Sequence, residues 1–111
     1  MTLTNQSLYL YSGDSKRLIV EIKDPHGKPY NLAGCTAKWL LGRSGLSVLS
    51  KSSEEGISIQ NTTEGRLVIN LKPNDTKNLS GDYTHIVKVI DGSGNVYTVL
   101  TGTISIHQSM L

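Results

Sequence analysis

Histidine, cysteine and clustered carboxylates are the residue types that carry metal or nucleophilic chemistry, and the chain holds three histidines and one cysteine. His26, His85 and His107 stand in no HxH or HxxxH spacing, so no single element brings two imidazoles to one metal ion. His85 falls in phase with Tyr83, Val87 and Val89, which predicts a histidine at the core margin with one ring nitrogen bonded to backbone. Cys35 lacks a partner for an intrachain disulfide and sits in an apolar alternation, where a thiol packs as a small inert hydrophobe. Asp91, Ser93 and Asn95 present oxygens at alternate positions, as a calcium loop does, but Gly102 stands where that loop needs a bidentate Glu. A hairpin turn explains these residues better, since Asp, Gly and Asn tolerate positive φ. No GxSxG elbow or GxxxxGK[ST] phosphate loop occurs, and no Ser is tied by spacing to a His or Lys base. No catalytic, metal-binding or cofactor-binding residue is therefore expected, and the chain is expected not to be an enzyme.

Tyr9, Tyr11, Tyr30 and Tyr97 fall at outward or edge positions and expose more aromatic area than solubility needs, which makes them the candidate interface. Tyrosines lying over a neighbouring strand with their hydroxyls in water would occupy the same positions. Lys plus Arg is 11 against 9 for Asp plus Glu, and a net charge of +2 is too small to draw nucleic acid or anionic lipid. Only Lys16, Arg17 and Lys28 are placed to join those aromatics, too few for a nucleic-acid platform, so neither nucleic acid nor membrane is an expected partner. The first 20 residues lack the basic start and apolar core of a secretory signal, so synthesis in the cytoplasm without export is expected.

Strands must position all of these side chains. The ordered stretches alternate apolar and polar residues with period two, and no window repeats apolar positions at helical spacing. Leu8 and Leu10 alternate with Tyr9 and Tyr11, and Leu18, Val20 and Ile22 share a face opposite Arg17, Glu21 and Lys23. The turn Asp24-Pro25-His26-Gly27 precedes the inward set Cys35, Ala37, Trp39 and Leu41, which contains the one tryptophan. Residues 42–56, rich in Gly and Ser, predict a long mobile loop with at most a short edge strand at 46–50. Ile57 and Ile59, then Leu67, Ile69 and Leu71, point inward from two short strands flanking a polar turn at 61–65. Residues 73–81 predict a compact crossover with one helical turn capped by Asp75. A strand from Tyr83 to Ile90 is joined by the 91–95 hairpin to a last strand, Val96 to Ile106, with Thr98, Leu100, Gly102, Ile104 and Ile106 on one face. Gly102 predicts a bulge or a close backbone approach there. Seven to eight short strands, and no helix long enough to cover a parallel sheet, predict an all-β antiparallel β-sandwich in one domain, 1–111, with its core over about 8–106.

The run Leu71-Lys-Pro73-Asn-Asp75-Thr76-Lys-Asn-Leu79-Ser-Gly81-Asp-Tyr83 resembles the approach to the corner tyrosine of immunoglobulin-like sandwiches, with Tyr83 as the structural corner. Together with Gly13-Asp14-Ser15, Asp24 through Gly27, Leu32-Ala-Gly34-Cys-Thr36 and Asp91-Gly92, the chain is similar to the immunoglobulin-like module of bacteriophage tail and baseplate proteins. In particular it resembles the N-terminal domain of baseplate upper proteins, over about residues 8–106. That resemblance implies a structural virion part that docks on other tail proteins and forms homo-oligomers. Such modules often precede a helical linker and a receptor-binding or fibre region, whereas this sequence stops at Leu111; a stand-alone accessory protein or an excised domain fits. The alternative is a host-surface carbohydrate-recognition module, with Tyr faces stacking on sugar rings and the 42–56 segment as a lid. The inward phase of Trp39 argues against it.

Overall fold

The computed structural model describes residues 3–108. Among them eight strands form: β1 (Leu3–Tyr11), β2 (Lys16–Glu21), β3 (Thr36–Arg43), β4 (Leu46–Ser52), β5 (Ile57–Asn61), β6 (Arg66–Leu71), β7 (Gly81–Ile90) and β8 (Val96–His107), with a single helical turn, α1 (Pro73–Thr76), before β7. They make a five-stranded sheet in the order β1-β8-β7-β3-β4 and a three-stranded sheet in the order β2-β6-β5. The inward residues that alternation selects meet between the sheets. Leu18, Val20, Leu67, Ile69 and Leu71 face Ala37, Trp39, Leu41, Val87, Val89, Ile104 and Ile106, all buried. Each such aliphatic side chain contributes roughly 1.5–3 kcal/mol by leaving water. The fold is an immunoglobulin-like β-sandwich. The inward placement of Leu8 lies outside the described side chains. No helix among the described residues is long and apolar enough to cross a membrane.

One strand pair departs from the antiparallel expectation: β1 runs parallel to β8, with Leu10 opposite Ile106 and Tyr11 opposite His107. The chain leaves β1 through Ser12–Ser15 and enters the other sheet as β2, so β1 has no hairpin partner and docks along the last strand instead.

The predicted loop at 42–56 is a paired hairpin. Leu40 pairs with Ser50 and Trp39 with Lys51, and β4 extends the five-stranded sheet. Ser44 at φ 55° and Gly45 at φ 80° supply the two consecutive left-handed residues of a tight two-residue turn. A Cβ at Gly42 would lie 2.7 Å from the Leu46 carbonyl oxygen, so the strands converge only because that residue is glycine. The small residues that suggest a loop are used by the turn, and the pattern is weak because β4 is an edge strand.

The alternation along β8 also slips. Val87 opposes Leu100 while Lys88 opposes Thr98, leaving Val99 as the extra residue of a bulge. Val99 and Leu100 are consequently both buried and Thr98 leaves the inward set. The bulge lies at Val99, not at Gly102, which stays in register opposite His85.

The helical turn forms where the sequence places it, but Asp75 sits inside it. Its Oδ2 accepts the Lys72 amide at 2.7 Å, closing the turn from within. The same oxygen meets Lys51 Nζ at 3.0 Å. Lys51 is in register with Trp39 and therefore points inward, leaving only 6% of its side chain exposed. Thr76 Oγ1 accepts the Gly13 amide at 3.0 Å, so the crossover is also tied to the β1–β2 turn.

Candidate functional site

The four candidate tyrosines do not share one surface. On β1, the buried Leu10 separates Tyr9 and Tyr11, which project outward with 61% and 53% of their surface exposed. The parallel register sets His107 of β8 beside them, its ring centroid 4.9 Å from Tyr9 and 5.7 Å from Tyr11. The two tyrosine rings lie 6.3 Å apart, and all three planes are mutually tilted, forming an uneven aromatic cradle. Next to it Tyr9 and Tyr11 wall a cleft of about 380 Å3 with Asp14, Ser15 and Lys16. The Asp14 amide donates to the Tyr11 carbonyl at 3.3 Å, which folds that turn back against the aromatic end. His107 is the member that alternation alone does not single out, because its partners come from the far end of the sequence.

Tyr30 and Tyr97 lie elsewhere. Tyr30 is half-buried against the core and Tyr97 is 44% exposed. Burial pushes the Tyr30 phenol above its ordinary value, and the charges of Cys35, Tyr97 and Asp91 push it further. Burial likewise raises the Cys35 thiol, with Asp91 adding to it, and its Sγ is 3.8 Å from the Ala33 carbonyl oxygen. That environment keeps the thiol protonated at neutral pH.

Tyr83 is buried at the start of β7, and its hydroxyl donates to the Ser80 carbonyl at 3.1 Å while accepting the Ser80 amide at 3.2 Å. Arg43 closes this corner from outside. Its guanidinium lies 4.1 Å from the Tyr83 ring centroid, its Nε donates to the Asp82 carbonyl at 3.3 Å, and it also donates to the Ser80 carbonyl. The role of Arg43 is invisible to a reading of 42–56 as a loop.

His85 is not at the core margin. It is 1% exposed, and its Nδ1 accepts the Trp39 indole N–H at 3.2 Å, a side-chain partner where a backbone one is expected. The cause is register: Trp39 opposes Val87 and Leu41 opposes His85, so both rings stand on the inward face of adjacent strands. His26 sits in the exposed Asp24–Lys28 turn, where Asp24 Oδ1 accepts the amides of His26 and Lys28 at 2.9 Å each. The Lys28 amide is the main cause that holds the Asp24 carboxyl below its ordinary value. Asp91 acts in the same way in the β7–β8 turn, where its Oδ1 accepts the Ser93 and Asn95 amides at 2.9 and 3.0 Å. The Asn95 amide is foremost in lowering its pKa. Those oxygens are thus engaged by the turn itself.

No protein-family model matches the chain, and no curated protein does. Among solved structures, it is similar to the SrpA adhesin from Streptococcus sanguinis, in a point-mutant form, with 19% identity and a TM-score of 0.49. The match covers 92% of this chain and 55% of that one, so the chain spans about half the length of the adhesin it resembles.

Proposed function

We propose that the chain is a non-enzymatic structural component of a phage or prophage particle, made in the bacterial cytoplasm. It works by assembly with other virion proteins and with copies of itself. The observation that carries this reading is the outer edge of β1, which pairs with no other strand among the described residues. The strand Leu3–Tyr11 has neither a charged residue nor a proline, lies at the border of the five-stranded sheet, keeps unbroken register with β8 from Gln6 to Tyr11 after an irregularity between Leu3 and Gln6, and ends in the exposed Tyr9–Tyr11–His107 cradle. Isolated sheet edges are ordinarily blunted by charge, proline or a bulge, because unpaired N–H and C=O groups recruit further strands. Of the other edges, β2 is blunted in this way by Lys16, Arg17 and Glu21, β4 carries Lys51 turned inward, and β5, uncharged but only five residues long, loses register between Ile59 and Asn61. Aromatic side chains beside an open edge supply the rigid apolar contacts that dominate interface energetics. The baseplate-module resemblance supports the class of particle. Light scattering over a wide concentration range, paired with retention assays against the products of adjacent reading frames, tests it. A defined oligomer or a retained neighbour is the expected result; a monomer throughout with no retained neighbour rejects it.

The cleft beside Tyr9 and Tyr11, with Asp14, Ser15 and Lys16 in its wall, favours host-surface carbohydrate as the second reading. Selective binding on a glycan array that is lost in Tyr11→Ala, with assembly unaffected, would put it first.

A further inference from the structure

The five-stranded sheet has a second border, β4, and the hairpin end of that border holds a cleft of about 280 Å3. Leu40, Gly42, Leu46, Thr84 and Ile86 line it with small residues of the turn, and none of the lining residues is charged. Leu40 opposes Ile86, and both alternate with the buried Leu41 and Val87, so the cleft lies on the outer face of the sheet, as Tyr9 does. The registers also set cleft and tyrosine at the same end of the strands. Gly42 opposes Thr84 and Thr84 opposes Thr103; one step further along that face, Asp82 opposes Ser105 and Ser105 opposes Tyr9. β1 and β4 stand four strand spacings, about 19 Å, apart, so Tyr9 does not cover Leu46 of its own chain, which is left 72% exposed. Lys51, the one charge on β4, is paired inside the fold with Asp75, and the border from Leu46 to Ser50 is uncharged. Strand direction suits a repeat. β1 runs with β8 and β3, and β4 runs against them, so a copy set beside β4 in the same orientation presents its β1 antiparallel to it, the more stable pairing. The β3 ladder skips Val48, an irregularity that bends the border there, so backbone rungs at such a contact are few and apolar side chains carry it.

We propose that the β4 border receives the β1 edge of a second copy of this chain, head to tail, with Tyr9 of one copy seated over Leu46 in the cleft of the next. The inference rests on the assembly reading above and names the partner surface that reading leaves open. Every copy then carries two different surfaces, one at each border of the same sheet, and the contact repeats into a ring or an open fibre. A contact of β1 with β1 would instead be self-complementary and would stop at a dimer. Burial of the Tyr9 ring and the Leu46 side chain supplies the attraction, and the uncharged cleft opposes no charge to it.

The test mixes two variants that each lose one of the surfaces, Tyr9→Asp and Leu46→Asp, both at exposed positions. Sedimentation velocity is run on the wild type, on each variant alone and on the equimolar pair. Alone, each variant should self-associate at least about tenfold more weakly than the wild type, because it drives a charge into an apolar contact. Together they should form a 1:1 dimer and nothing larger, since one intact cleft and one intact tyrosine remain between them. Leu46→Asp assembling as the wild type does, or a mixture that yields no dimer, overturns the head-to-tail contact and leaves assembly through β1 standing. A wild-type chain that is monomeric throughout overturns it too, and retention by the products of adjacent reading frames then shows whether the assembly reading falls with it.

Discussion

Trp39 and His85 form a side-chain hydrogen bond inside a core of aliphatic residues, and their rings meet edge to face at 6.5 Å between centroids. A donor nitrogen in such surroundings costs about 1–3 kcal/mol if it loses its acceptor. The pair stands where immunoglobulin sandwiches commonly place other chemistry. Two residues beyond the corner tyrosine such domains carry a cysteine of the inter-sheet disulfide, against which a tryptophan of the third strand packs. Here Tyr83 is followed at that interval by His85, and the tryptophan of β3 donates to it. His85→Leu and Trp39→Phe are each expected to destabilise by about 1–3 kcal/mol, and the double variant by clearly less than their sum, with coupling near 1 kcal/mol. Urea denaturation of the four proteins checks it, and strict additivity would remove the bond from the account. The phase of His85 was legible because Tyr83, Val87 and Val89 are in step with it. Its partner was not, since cross-strand register depends on which strands become neighbours and no local pattern encodes that.

At the scale of the element, the β3–β4 hairpin and the β6–β7 crossover are one construction joined by Lys51 and Asp75. The Lys51 stem packs over Gly56, where a Cβ would come within 2.5 Å of it, and its ammonium reaches Asp75 inside α1. Burial alone raises the Asp75 carboxyl, but the Lys72 amide, the Lys51 ammonium and the charge of both lysines outweigh it and hold the group below its ordinary value. A carboxyl with a depressed folded pKa stabilises the fold above its unfolded value of about 4, and that contribution disappears as the pH falls through the folded value. Asp75→Asn is expected to cost of order 3 kcal/mol at neutral pH, by stranding Lys51, and to flatten the acid limb of stability against pH. Adding Lys51→Met to Asp75→Asn should recover much of that loss, since no buried ammonium is then left unpaired. Denaturant midpoints across the acid range decide it, and an acid limb unchanged in Asp75→Asn would exclude the pair as its source. The helical turn could be read from Pro73 and Asp75, whereas the ion pair could not. Lys51 lies in a stretch whose Gly and Ser content hides its inward phase, and a lysine on an edge strand is ordinarily solvated.

Across the whole molecule, the sandwich is a rod with principal extents of 43 × 23 × 22 Å, and its tyrosines are divided along it. Tyr97 and His107 lie near opposite ends of β8, about 33 Å apart at 3.3 Å per residue. They also differ in face. Tyr97 is in register with the inward-facing Val89 and leaves the sheet on its core side, whereas Tyr9 and Tyr11 leave it on the other. Alternation correctly marks Tyr9 and Tyr11 as exposed, but a list of outward tyrosines carries no information on which end or sheet face each occupies. That follows only from the sheet order, and the parallel docking of β1 on β8 is what brings His107 to Tyr11. A standard interface takes about 800 Å2 from each partner, so one contact centred on the cradle excludes a residue at the far end and on the opposite face. If assembly uses the β1 edge, Tyr11→Ala should weaken it by at least about tenfold, as central aromatic anchors do, while Tyr97→Ala leaves it unchanged. Sedimentation equilibrium on the two variants measures this directly. Loss of assembly in Tyr97→Ala with Tyr11→Ala unaffected would move the contact to the Cys35–Asp91 end and leave the uncharged edge of β1 without the role assigned to it.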